Sequence, residues 1–414
     1  MADLHTDSMT ASGREFAFDP NDPEFDVDPN PTWDHLREND PVHWWPAAHG
    51  WVVTRYDDVV TVLTDRRFST ELSHYPKMPL DLPDDLLASH RLLARHGLFW
   101  VPLADHRRIR SVLAPLFTAG AVEAYRPLVE TVADDVLSPL EGSARLDLAA
   151  QVTTGLPLEM TMNLLGMPRR RHTEFRLFGG AIVDLFYPGI SQVAVEEKAA
   201  HMPRGLALLD ELLDERQAAP GDDLLSRMLH AQHNGETLTR DEVRSMVALL
   251  MSTASEPVGH LINVAMVNLL RHPEAMAEVR ADASLIPAAV DEAYRYDGFG
   301  KLNLPRFPLE DVELSGVRIG KGQQVFGVFA SASRDERAFP DAAVFDIHRD
   351  NRKSLLFGDG PHVCLGRWLS KVVVETMIEK LVTRFPAMRL SGEPVYTQNT
   401  FFRKMVSVPV EVGR

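Results

Sequence analysis

The feature that most constrains this chain is a run of about thirty residues from Thr239 to Leu270. Thr239 and Glu242 form a T-x-x-E capping box, apolar residues follow on most faces, and "RHP" stops the run. At 1.5 Å per residue such a helix is roughly 45 Å long, the width of a whole domain. A helix so long and so apolar has to cross the interior, and the rest of the chain must be built around it.

The surrounding pattern fits that demand. From about residue 104 to 300 helical spacing dominates, broken at "YPGISQ" and "APGDDL". Further helices are expected in "PAAVDEAYRYDG" and "CLGRWLSKVVVETMIEKLVTRF". Short strands are expected in "PVHWW" and "GWVVTRY", turning at Ala47–Gly50, and in "VELSGVRIGKGQQVFGVFA". "TFFRKMVSVPVEV" alternates like a strand pair. The passage 72–100, with Pro76, Pro79, Pro83 and Gly97, reads as a long irregular segment of the kind used as a lid or binding loop. Residues 1–30 are rich in Pro and Asp and read as an extended, partly mobile lead-in to a single domain over 31–414. The expected class is mostly α with small β-sheets (α+β).

A formal net charge of −16 excludes a nucleic-acid binder, which needs basic surface to displace counterions. The acidic N-terminus is neither signal nor transit peptide, and no stretch approaches the roughly 20 apolar residues of a membrane span. A soluble, cytoplasmic protein is expected. The single cysteine excludes an internal disulfide framework and any CxxC metal pattern.

That cysteine, Cys364, stands in "FGDGPHVCLG". A thiolate is a strongly donating ligand, and haem iron is one of the few centres held by a single cysteine. Gly358, Gly360 and Gly366 let backbone approach a flat cofactor. Nearby N–H groups and the N-terminus of the following helix would favour the charged sulfur. The stretch resembles the F-x-x-G-x-H-x-C-x-G signature of the cytochrome P-450 family at Phe357, Gly360, His362, Cys364 and Gly366. The resemblance runs from about Phe18 to the C-terminus. It implies the cytochrome P-450 fold, with haem b between a long distal helix and a cysteine-bearing loop plus helix, and Cys364 on the iron.

Other segments resemble the family too. Glu292 and Arg295 in "EAYR" match its structural E-x-x-R pair; Val344 stands where an arginine often completes it, which leaves the third partner open. His106 and Arg110 share one helical face in "DHRRIR" and, with Arg306 and His362, match its haem-propionate contacts. On the distal helix the family has A-G-x-[DE]-T, whose acid and hydroxyl pass protons to dioxygen. Here "TASEPV" puts Glu256 in the acid position and Pro257 in the threonine position. Proline lacks an N–H, so the helix is expected to kink or open here and free the Thr253 carbonyl. Protons would come by Glu256 through water, by Ser255, or by a substrate hydroxyl. His260, one turn on, is a further candidate relay.

The resemblance places the substrate pocket at the 72–100 segment (Phe99, Trp100), the "LFYPG" break, the distal helix, "FGKLNL" (Phe299, Lys301, Asn303) and "QNTFF" (Phe401). It implies a haem-thiolate monooxygenase that uses dioxygen and two electrons to hydroxylate or O-demethylate a hydrophobic small molecule, such as a secondary metabolite or an aromatic compound. The chain carries no flavin or NAD domain, so a ferredoxin and its reductase are the expected partners. Arg107, Arg108, Arg352, Lys353, Arg367 and Lys371 form the basic patch an acidic ferredoxin would meet. Because of Pro257, oxidative coupling, peroxygenase and nitric-oxide reductase chemistry stay open, as does a non-catalytic haem sensor.

Overall fold

The computed structural model describes residues 16–74, 84–185, 197, 199–254 and 256–413. Thr239 caps the central run as expected: its N–H donates to Glu242 Oε2 at 2.8 Å, and the Glu242 N–H donates to Thr239 Oγ1 at 3.3 Å. The run is nevertheless two helices, Arg240–Thr253 and Glu256–Arg271. The cause is Pro257. In one continuous helix its ring would press on the Thr253 carbonyl and offer it no N–H. Restarting at Glu256 moves the proline into a first turn, where no N–H is required.

The second half is buried from Val258 to Leu269 and lies at the centre of the molecule. It packs against the helices Ile286–Tyr296 and Arg367–Arg384. On another side a π-helical turn, Ala149–Thr153, comes so close that a Cβ on Gly259 would sit 2.7 Å from the Thr153 carbonyl oxygen. The first half packs against His172–Leu185 and Asp84–Arg95.

That last helix corrects the reading of 72–100 as irregular. Its residues are mostly good helix formers, with Arg95 in the last turn, as the helix dipole favours. Pro76, Pro79 and Pro83 lie outside the described residues.

The sheets are small. Val42–Trp45 pairs antiparallel with Gly50–Val53, as expected, and Gln324–Gly327 adds a parallel third strand. Val312–Leu314 and Val317–Ile319 form the expected hairpin, turning through Gly316 at φ +79°. The C-terminal strands Lys404–Ser407 and Pro409–Glu411 do not pair with each other. Only Val408 separates them, so the chain passes straight from one sheet to the next. The first pairs with Val395–Thr397, the second with Arg145–Asp147 and Arg389–Leu390.

The lead-in is also corrected for its described part. From Phe16 it is folded onto the domain: Asp22 caps the helix Pro23–Val27, a second helix spans Asn30–Asn39, and Phe18 and Phe25 are buried against Trp33. Among the described residues, no helix is long and apolar enough to cross a membrane.

Candidate active site

The cysteine loop is held by its own backbone. The Cys364 N–H donates to the Phe357 carbonyl at 2.8 Å, and Gly358 and Gly360 sit at φ +70° and +69°. A Cβ on Gly360 would lie 2.6 Å from the Leu63 carbonyl oxygen, so only glycine fits. Gly366 leads into the helix Arg367–Arg384. Cys364 lies deep in the fold, yet it is exposed, because the surface it shows belongs to a cavity. Burial pushes its thiol up, while the Gly366 N–H and the guanidiniums of Arg110 and Arg367 pull the other way.

The cavity, about 370 Å³, runs from Cys364 to the break between the two central helices. Phe99, Trp100, Thr253, Pro257, Asn303 and Phe401 all line it. An adjoining space of about 330 Å³ shares Phe99, Thr253, Pro257, Asn303 and Cys364 and reaches Phe299, Arg306 and Phe357. Together they form a slot with the sulfur on one side and the helix break on the other.

Basic side chains gather at one end of the slot. The rings of His106 and His362 lie 4.2 Å apart, Arg110 Nη2 donates to the Val363 carbonyl at 2.6 Å, and the Arg306 guanidinium sits 5.0 Å above the Phe99 ring. Burial and the neighbouring guanidiniums, Arg110 first, push His106 down to about 4. Burial and Arg306 push His362 down to about 3. His106 Nδ1 is buried without a hydrogen-bond partner among the described residues. Groups that drive protons off one another, with a ring nitrogen left over, suit an anion carrying more than one charge. A soft sulfur, the space beside it and this basic end fit haem, the sulfur for the iron and His106, Arg110, Arg306 and His362 for the propionates. Thr70 Oγ1, 3.3 Å from His362 Nε2, joins this end; nothing in its surroundings in the sequence marks it.

The comparisons with known proteins agree with this geometry. The family model described as Cytochrome P-450 matches residues 206–409. The epothilone C/D epoxidase of Sorangium cellulosum is 33% identical over 405 residues, 95% of each chain. This chain belongs to the cytochrome P-450 family. The P-450 monooxygenase PikC of Streptomyces venezuelae is 32% identical, over 94% of this chain and 92% of its own. The crystal structure of an epothilone D-bound cytochrome P-450 matches with a TM-score of 0.89 at 32% identity, covering 96% of this chain and 100% of that one. The protein is thus an oxygen-incorporating oxidoreductase with a haem iron cofactor, and the P-450 fold implies a redox partner.

In this P-450 the Glu292–Arg295 pair is fully buried, with bonds of 2.7 and 2.8 Å. The open third position is filled from further along the chain: Arg349 Nε reaches Glu292 Oε1 at 3.4 Å, and Asn351 Nδ2 reaches Oε2 at 3.2 Å. Val344 takes part only through its carbonyl, which accepts from Arg295 at 3.0 Å.

The distal side differs from expectation in its details. The Glu256 carboxylate is bound by Lys404 Nζ at 2.5 Å, and Glu256 is not among the residues lining the cavity. Thr253 and Pro257 do line it; the Thr253 hydroxyl donates back to the Leu249 carbonyl at 2.7 Å. His260 is buried between Phe299 and Phe402, off the cavity. Ser255 and the Phe186–Gly189 part of "LFYPG" lie outside the described residues.

Lys301 is a correction. Expected in the pocket, it is buried behind the wall, with Nζ bound to the Asp26 carboxylate and, at 2.7 Å, to the Pro20 carbonyl. Asn303 lines the cavity but spends its amide on the Gly327 carbonyl at 2.7 Å. The basic patch is partly neutralised: Arg108 pairs with Glu242, Lys371 with Asp291 and Arg352 with Asp350. The Arg367 guanidinium lies 5.0 Å above the exposed ring of Trp368.

Proposed function

We propose that this cytochrome P-450 hydroxylates or epoxidises a large, mainly apolar secondary metabolite of the polyketide type, with electrons from a cytoplasmic ferredoxin and its reductase. The observation that carries the reading is the cavity, whose lining is mostly apolar, with Phe99, Trp100, Leu302, Phe401 and Phe402 among its walls and Cys364 on one side. Relatives support the substrate class: besides the epothilone epoxidase, a 6-deoxyerythronolide B hydroxylase from Saccharopolyspora erythraea is 31% identical over 94% of this chain. These names favour hydroxylation or epoxidation over O-demethylation of an aryl ether. Residues 31–414 act as one domain in this reading, with the described lead-in docked on it.

Haem held by Cys364 supplies the activation of dioxygen. The remaining work falls to the chain. His106, Arg110, Arg306 and His362 fix the cofactor's orientation through its propionates. The aromatic walls exclude water and hold the substrate against the slot. For hydroxylation, one oxygen atom enters a C–H bond and the other leaves as water, which consumes two electrons and two protons. Pro257 has no hydroxyl to deliver those protons, and Lys404 holds the carboxylate of Glu256. The Thr253 carbonyl, without an N–H from Pro257, can anchor a water or a substrate hydroxyl at the break.

The test is turnover with ferredoxin, its reductase and ¹⁸O₂ on compounds chosen for shifting the haem spin state. Products carrying one labelled oxygen support the reading. Pro257 also favours a second one, a peroxygenase; oxidation with peroxide and none with the electron-transfer partners would establish that instead.

A further inference from the structure

We propose that Asp26 is a positioning residue for the substrate chamber, acting through Lys301 and Arg403 to hold two of its walls in one register. The inference rests on the reading of this cavity as the substrate chamber.

Lys301 immediately precedes the wall residues Leu302, Asn303 and Leu304; Arg403 immediately follows Phe401 and Phe402. The two segments are stapled by backbone, with the Lys301 N–H on the Phe401 carbonyl at 2.8 Å and the Arg403 N–H on the Phe299 carbonyl at 2.7 Å. Their charged side chains turn away from the cavity and converge on the N-terminal segment. Lys301 takes the Asp26 carboxylate and the Pro20 carbonyl. Arg403 Nε takes the Asp26 carbonyl at 2.9 Å and Nη2 the Val27 carbonyl at 3.0 Å, while Nη1 pairs with Asp297. One residue further out, Thr400 Oγ1 donates to Asn21 Oδ1 at 2.9 Å. Asp26, Lys301 and Arg403 are 1–3% exposed.

Buried charges are costly unless paired, and an unpaired one left behind drives local rearrangement. Here the groups that would rearrange are joined directly to cavity walls. Removing the Asp26 charge leaves Lys301 unpaired behind Leu302, so the wall itself shifts to let the ammonium reach water. Glue placed elsewhere would lower stability without changing the shape of the chamber.

The test uses the haem-loaded protein and two probes that bind haem iron, imidazole and 4-phenylimidazole. Imidazole reports ligation alone; the phenyl group also touches the walls. In Asp26→Asn, at a temperature well below unfolding, the ratio of the two dissociation constants is expected to change by about fivefold or more. Asp26→Glu should restore most of it. If Asp26→Asn does not fold, Lys301→Met decides, because it breaks the same pair from the wall side, and the ratio is again expected to change by about fivefold. A ratio unchanged in the folded variants, even with a lowered melting temperature, overturns the proposal. The reduced carbon monoxide spectrum of the unmutated protein tests the haem reading separately, since a missing thiolate signature there would sink that reading and leave the wall geometry unjudged by it.

Discussion

Glu292 is the most heavily used carboxylate near the site. It accepts from Arg295, Arg349, Asn351 and the Asp346 N–H with no exposure to solvent. Glu292→Gln would leave two guanidiniums short of their counter-charge, at a cost of about 3–5 kcal/mol. Against a typical total of about 5–15 kcal/mol this should depress the denaturant midpoint sharply and reduce soluble yield. Arg349→Ala should cost less, on the order of 1–3 kcal/mol by the same measurement. At the basic end, His106→Phe preserves the packing and deletes the ring nitrogens. Haem transfer to an acceptor globin is expected to speed up by roughly tenfold to a hundredfold, the equivalent of one charge-assisted hydrogen bond. The residues legible in the sequence, Cys364, His362 and Glu292 with Arg295, belong to short local patterns. Arg349 and Thr70 were not, because their partners are set by loops whose course no periodicity records.

The central helix shows where pattern reading stops among elements. Its start, its capping box and its apolar faces were plain from Thr239 onward, and a kink was expected. Opening into two helices is the other outcome the proline allows, and spacing cannot choose between them, since hydrophobic residues continue on both sides of Pro257. Pro257→Ala separates the two geometries. A proline in the interior of one long helix would cost about 3 kcal/mol, so its removal should stabilise by that amount. In the first turn of a second helix it costs little, and thermal or denaturant unfolding should change by less than about 1 kcal/mol. The helix Asp84–Arg95 was hidden for the opposite reason: the prolines before it dominate the local composition, although they precede its first turn.

For the molecule as a whole, the −16 charge and polar N-terminus give no hint that the Asp26 carboxylate serves Lys301 and its backbone carbonyl Arg403. Long-range charge pairing leaves no local trace, so the local pattern alone puts Lys301 in the pocket rather than on Asp26. Acid sensitivity is another property of the whole. Burial, aided by Lys404, pushes His260 down to about 3, so the native state stays unprotonated there while the unfolded chain takes up a proton below about 6.5. More protons bound to the unfolded state means stability falls as pH falls through that window. Between pH 7 and 5 the loss from this group is about 2 kcal/mol, and in His260→Phe urea titrations at the two pH values should show that much less difference. The latch on Asp26 has a consequence for biogenesis. Arg403 is made 377 residues after Asp26, which at ribosomal rates of about 5–20 residues per second is roughly 20–75 s later. The segment around Asp26 must wait for Lys301 before its carboxylate is paired, and for Arg403 before its backbone carbonyl is bound. Completion of the chamber therefore waits for the synthesis of Arg403, and a chain cut short before Arg403 would carry its cysteine loop without a finished wall around it.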